Sequence, residues 1–185
     1  VGGVNKFNPE KLRFRHLKTS VAADIKESGT LYSNDNIIWS FYEDSGLIWI
    51  GSMRTLLSSI KEDRINSGLF NTAEFLSNGE KIIPPFNSVL EIKGDRKHNL
   101  WLGTDNGLYY YNTHNKEIRG FLHRGNNENS LPDNVITSII NCGDSVLWIG
   151  TTNGLSRFEP AKNRFTNFYN SHADSTSLVN NLINY

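Results

Sequence analysis

The chain has 185 residues and a mass of 21.0 kDa, and its 37% hydrophobic and 21% charged residues are enough to bury an ordinary core. Its 19 Lys and Arg residues balance 19 Asp and Glu, and the isoelectric point is near 7.1, so the basic excess that captures phosphates is missing and no nucleic acid is expected as a partner. No run of about 18 apolar residues occurs, so no spanning helix is expected, and Cys142, the single cysteine, excludes an internal disulfide while fitting either cytoplasm or periplasm.

The chain opens on Val1 without a charged-then-apolar leader, so any export signal is expected to have been removed or left out of this stretch. "GVNKFN" from Gly3 reads as a short strand closing on Phe7, with Phe14 and Leu17 on the next one. From Asn36, "NIIWSFYED" is a strand. The turn "EDSG" leads to a second, "LIWIGS", at 47–52. Thr55 then stands where later copies have Gly, so that turn should differ. The stretch 58–85 is expected to hold an insertion or a displaced strand. "NSVLEIKGD" from Asn87, "NLWLGT" at 99–104 and "GLYYYN" closing on Tyr111 are three more strands, and Ile118 and Phe121 mark a fourth. "NVITSIINC" from Asn134, "VLWIGT" at 146–151 and "GLSRFE" closing on Phe158 repeat the series, with Phe165 and Phe168 on its fourth strand. "NNLINY" begins it again.

Trp49, Trp101 and Trp148 stand 52 and 47 residues apart, and each period holds four short β segments. Repeats of about 40 to 50 residues with four strands are propeller blades. The apolar residues lack helical spacing, which excludes a helical solenoid. "LWLG" and "LWIG" run apolar without alternating, as strands buried on both faces do. Gly51, Gly103 and Gly150 are expected to admit another backbone or a sharp turn. The pairs Asn106-Gly107 and Asn153-Gly154 suit tight hairpins with positive φ. The expected fold is all-β, a partial β-propeller of four-stranded antiparallel blades. The blades fall at 36–85, 87–122 and 134–169, with the end of another at 1–17 and the first strand of a further one at 181–185. Fewer than four complete blades do not close a propeller. The stretch is therefore expected to belong to a larger propeller or to self-associate through its open faces.

Asp44, Gly46, Trp49 and Gly51, then Trp101, Gly103, Thr104, Gly107 and Leu108, then Trp148, Gly150, Thr151, Gly154 and Leu155 form a pattern that resembles the two-component regulator propeller repeat. "CGDS" replaces the usual turn in the third copy. The resemblance implies the periplasmic sensor of a Bacteroidetes hybrid two-component system. There, seven-bladed propellers precede an immunoglobulin-like domain, a membrane helix, a histidine kinase, a receiver and a DNA-binding domain. Such sensors take glycan fragments and signal as dimers. This stretch shows no kinase histidine box, receiver pattern or helix-turn-helix, so kinase activity and membrane contact would belong to other parts of a parent chain.

Packing explains the repeated tryptophans better than sugar stacking does, because each can bury about 150 to 250 Å² inside its strand. Tyr111, at the repeated aromatic position, is likewise expected in the core. His16, His98, His114, His123 and His172 share no ligand spacing, so no metal or other cofactor is expected. An oligosaccharide would be met where the turns between second and third strands and the loops between blades emerge. The candidate ligand-binding residues are Arg54, Asp105, Asn106, Asn153, His123 and Arg124, with Tyr32, Thr152 and His172 nearby. A guanidinium and planar amides suit sugar hydroxyls, although turn geometry alone accounts for the two Asn residues. No catalytic residue is assigned. The rival readings are a protein-binding scaffold and a propeller lyase or hydrolase, the latter needing an acid and base such as His123 with a carboxylate.

Overall fold

The computed structural model describes residues 4–8, 13–17, 37–53, 56–61 and 71–184, the first two segments as backbone alone. Strands β1 (Val4–Asn8) and β2 (Arg13–Leu17) pair as an antiparallel hairpin. The first blade consists of β3 (Ile38–Asp44), β4 (Leu47–Ser52), β5 (Leu57–Lys61) and β6 (Asn71–Thr72). A small hairpin of β7 (Phe75–Ser77) and β8 (Glu80–Ile82) follows. The second blade is β9 (Val89–Gly94), β10 (Leu100–Thr104), β11 (Gly107–Tyr111) and β12 (Ile118–Phe121). The third is β13 (Ile136–Cys142), β14 (Val146–Thr151), β15 (Gly154–Glu159) and β16 (Arg164–Phe168). Each blade is an antiparallel meander of four strands, so the chain is a partial β-propeller.

The register confirms the repeat at single-residue resolution. Tyr111 faces Ile118 across β11 and β12, Phe158 faces Phe165 across β15 and β16, and Phe7 faces Phe14 across β1 and β2. These are the aromatic positions that the sequence aligns. The expected first strand of a further blade forms no strand over residues 181–184, because a ladder needs neighbours. Those residues still bond to the third blade, with Ile183 N donating to Thr151 O at 3.1 Å.

Blades pack face to face through one recurring contact. The Trp49 ring meets Tyr111 of the next blade edge-on at 6.2 Å and 76°, and Trp101 meets Phe158 at 5.9 Å and 86°. Both tryptophans are buried, and Tyr111 is too. Trp148 corrects the expectation of a fully buried trio. It is only half-buried, with Phe168 at 5.7 Å, because no following blade covers its face among the described residues. The two ends of the stack are apolar: Phe41 is 74% exposed at one and Ile140 61% at the other. Near the inner strands the repeated glycines let blades touch. A Cβ on Gly51 would sit 2.8 Å from the backbone oxygen of Val89, and one on Gly103 would sit 2.7 Å from Ile136 Cγ2.

The stretch 58–85 holds an insertion in the form of the β7–β8 hairpin, which docks on the outer edge of the second blade. Leu76 N donates to Lys116 O at 2.9 Å, and the Glu117 carboxylate accepts from the amides of Asn78 and Gly79 at 3.2 and 2.7 Å.

The hairpins of the Asn-Gly pairs are tight and take the expected positive φ at the glycine. Positive φ falls on Gly107 and Gly154 alone, at 110° and 132°, and Asn106 and Asn153 are not in that region. A threonine closes each turn. Thr104 Oγ1 donates to Gly107 O at 2.7 Å and accepts from Asn106 N at 3.0 Å, and Thr151 Oγ1 repeats both bonds at 2.8 and 3.2 Å. The Gly-Thr of the motif therefore has a turn-building role. In the first blade Leu56 takes the positive φ, at 59°, and Thr55 lies outside the described residues.

Candidate functional site

The Asn that leads the third blade, Asn134, and its counterpart after that blade, Asn181, each tie three segments together. Asn134 O accepts from Gly107 N at 2.6 Å, while its Oδ1 accepts from His123 N at 2.7 Å. Asn181 does the same for Gly154 N at 2.7 Å and Asn170 N at 2.5 Å. The turn between second and third strands, the outgoing loop and the start of the next blade thus meet at one end of the sheets. The loop itself is closed by a serine, since Ser130 Oγ accepts from Arg124 N at 3.0 Å and Ser177 Oγ accepts from Ser171 N at 2.8 Å.

Most of the expected ligand-binding side chains at this end already hold the scaffold. Asp105 accepts from the Asn87 and Ser88 amides at 2.9 and 3.1 Å, and Asn106 Nδ2 donates to Pro85 O at 2.6 Å. Asn153, one blade further, accepts from Asn181 Nδ2 at 3.3 Å. His123 Nδ1 lies 2.6 Å from Leu131 O. A carbonyl only accepts, so that nitrogen carries the proton. Its partners are an amide and carbonyls rather than a carboxylate, which leaves the imagined acid-base pair unformed among the described residues. Arg124 is exposed, and Arg54 lies outside the described residues, as does Tyr32.

The opposite end carries a feature that sequence reasoning missed. An open cleft of about 260 Å³ lies between the second and third blades, lined by Asp95, Trp101, Tyr110, Arg119, Phe121 and Asp144, with Lys97 and Pro160 at its rim. Tyr110 and Trp101 lie 4.7 Å apart, and the Arg119 guanidinium sits 4.9 Å over Phe121. Tyr110 donates to Asp95 Oδ2 at 2.7 Å. Burial, then that carboxylate, push the tyrosine up to about 12. Burial alone would raise Asp95. The Tyr110 hydroxyl, the amides of Asn99 and Lys97 and the Asn99 side chain overcome it and hold the carboxyl below its usual range. Arg96 N, donating to Asp144 Oδ2 at 2.9 Å, and Asn141 Nδ2, donating to Gly94 O at 2.9 Å, fix the two walls to one another. Asp44 and His98 make a similar tie between the first and second blades at 2.8 Å.

Beside this cleft, Glu159 is buried among Lys162, Arg164 and Arg157, whose hydrogen bonds hold it down at about 2 from an ordinary 4.5. A depressed carboxylate stabilises the fold fully above its unfolded value and loses that contribution as pH falls toward the folded one. The gap in urea midpoint between the native chain and Glu159→Gln is therefore expected to close between about pH 5 and about pH 2. A gap independent of pH would disprove the linkage. Among the described residues, no group of three or more His, Cys, Asp or Glu could hold a metal ion, and no helix is long and apolar enough to cross a membrane.

No protein-family model and no curated protein matches the chain. Solved structures do. The extracellular domain of the hybrid two component system BT4673 of B. thetaiotaomicron superposes with a TM-score of 0.71 at 19% identity, over 98% of this chain and 22% of that one. That of BT3049, from the same organism, gives 0.66 at 22% identity, over 100% of this chain and 21% of that one. The fold is shared with these extracellular domains. PorZ, described as an essential bacterial surface component of the type-IX secretion system of Porphyromonas gingivalis, gives 0.55 at 20% identity over 68% of the chain and 18% of its own. The chain spans about a fifth of the length of each of these three.

Proposed function

We propose that this chain forms part of an extracytoplasmic, periplasmic propeller of a hybrid two-component signalling protein, which recognises a glycan fragment and passes the signal to a downstream histidine kinase. The observation that supports it most is the shared fold, over nearly the whole chain, with extracellular domains of two hybrid two-component systems. The segment itself is read as non-enzymatic. A thermal-shift screen of plant and host oligosaccharides tests the proposal. A ligand that binds only the folded state at about 100 times its Kd stabilises it by about 2.7 kcal/mol, so one glycan class should raise the melting temperature by several degrees. A flat response across the panel, with the protein folded, contradicts it.

The likeness to PorZ supports a second reading, a surface propeller that contacts other proteins, and that reading expects the flat response. Self-association is also proposed. The faces bearing Phe41 and Ile140 are the two complementary sides of one blade contact, so copies of this stretch can join head to tail. Light scattering that finds a monodisperse monomer of these 185 residues would exclude it.

A further inference from the structure

We propose that the cleft between the second and third blades is a subsite for a single sugar ring, distinct from the loop end. The inference rests on the glycan-sensing reading and gives it a location. At about 260 Å³ the cleft admits one pyranose and little more. Half-buried Tyr110 gives it an aromatic surface, on which the flat apolar face of a pyranose packs, while Phe121 lies beneath the Arg119 guanidinium. Its polar groups offer both senses of hydrogen bonding. Lys97 and Arg119, both exposed, donate, while Asp144 accepts and Asp95 contributes its charge. Their formal charges cancel, which favours a neutral polyol over an ion. The acceptor is also fixed in advance, Asp144 by Arg96 N and Asn141 Nδ2, and Asp95, filled by Tyr110, Lys97 and Asn99, holds the Tyr110 hydroxyl in place.

Blade building does not demand these residues. The strand registers place Ser59 and Arg157 at the position of Tyr110, each opposite its blade's tryptophan. Asn71 and Thr166 likewise occupy the position of Arg119 in the first and third blades, and in the β1–β2 hairpin Arg15 occupies it opposite Lys6. The tryptophan recurs in all three blades, so packing accounts for it. Tyr110 and Arg119 occur together in the second blade alone, at the cleft. Asp144 and Pro160 complete the site from the third blade, so it exists only where the two blades meet.

The test titrates an oligosaccharide panel into the full-length protein as native chain, Lys97→Ala, Arg119→Gln and Lys61→Ala, with methyl glycosides of glucose, galactose and mannose as competitors. Each of the two cleft variants is expected to weaken binding roughly tenfold. Lys61→Ala should leave both binding and competition by the methyl glycoside unchanged, since Lys61 is neither a cleft residue nor a candidate binding residue. The three substituted side chains are exposed, and circular dichroism melting checks that folding survives. An oligosaccharide that binds the native chain and both cleft variants equally overturns the subsite and leaves glycan sensing standing. Absence of binding to the native chain overturns both.

Discussion

Trp101→Ala is expected to lower stability by about 3–5 kcal/mol, the range for deleting a buried aromatic side chain. Trp101 is only 5% exposed and touches Tyr110 at 4.7 Å, Phe121 at 5.9 Å and Phe158 at 5.9 Å, so its removal empties the contact between second and third blades. Trp148→Ala is the internal control. The residue has the same place in its strand, but its outer face is uncovered, so the cavity term is largely missing and the loss should be less than about half as large. Urea denaturation followed by far-ultraviolet circular dichroism reads both. Equal losses would mean that the inter-blade contact contributes little.

Gly103→Ala is expected to cost about 1–3 kcal/mol through overpacking. Its added Cβ would stand 2.7 Å from Ile136 Cγ2, 3.1 Å from Ile136 Cβ and 3.2 Å from Ile139 Cδ1, all on the neighbouring blade's inner strand. Those atoms belong to branched side chains that are themselves buried, so they have little room to give. Gly46→Ala separates this effect from backbone strain. Its Cβ would meet nothing within 4 Å, yet its φ of 78° disfavours a side chain, at roughly 1–2 kcal/mol. The Gly103 variant should therefore loosen the stack and change hydrogen exchange in β10 and β13, whereas the Gly46 variant should act on its own hairpin. A Gly103→Ala protein as stable as the native one would contradict the close approach of the blades.

The repeat made the blades legible. Tryptophans 52 and 47 residues apart and the aromatics closing the third strand fell where the registers place them, because packing against neighbouring strands sets them. What recurs for another reason was harder to read. Asn134 and Asn181 look like strand starters, and Thr104 and Thr151 like strand ends. Their bonds to residues elsewhere in the chain appear only when the turns are folded. Two expected ligand contacts, Asp105 and Asn106, proved to have scaffold partners 18 and 21 residues away, a separation that no local pattern encodes. The cleft was invisible for the same reason. Tyr110 reads as the middle of an aromatic run, and Asp144 as a turn residue, until two blades bring them to one wall.

Isothermal titration of the glycan panel into the full-length protein tests the central claim most directly. The account predicts one saturable, micromolar isotherm confined to a single glycan class, equivalent to about −8 kcal/mol. A chain shown by circular dichroism to be folded, yet giving no heat with any glycan, would contradict it.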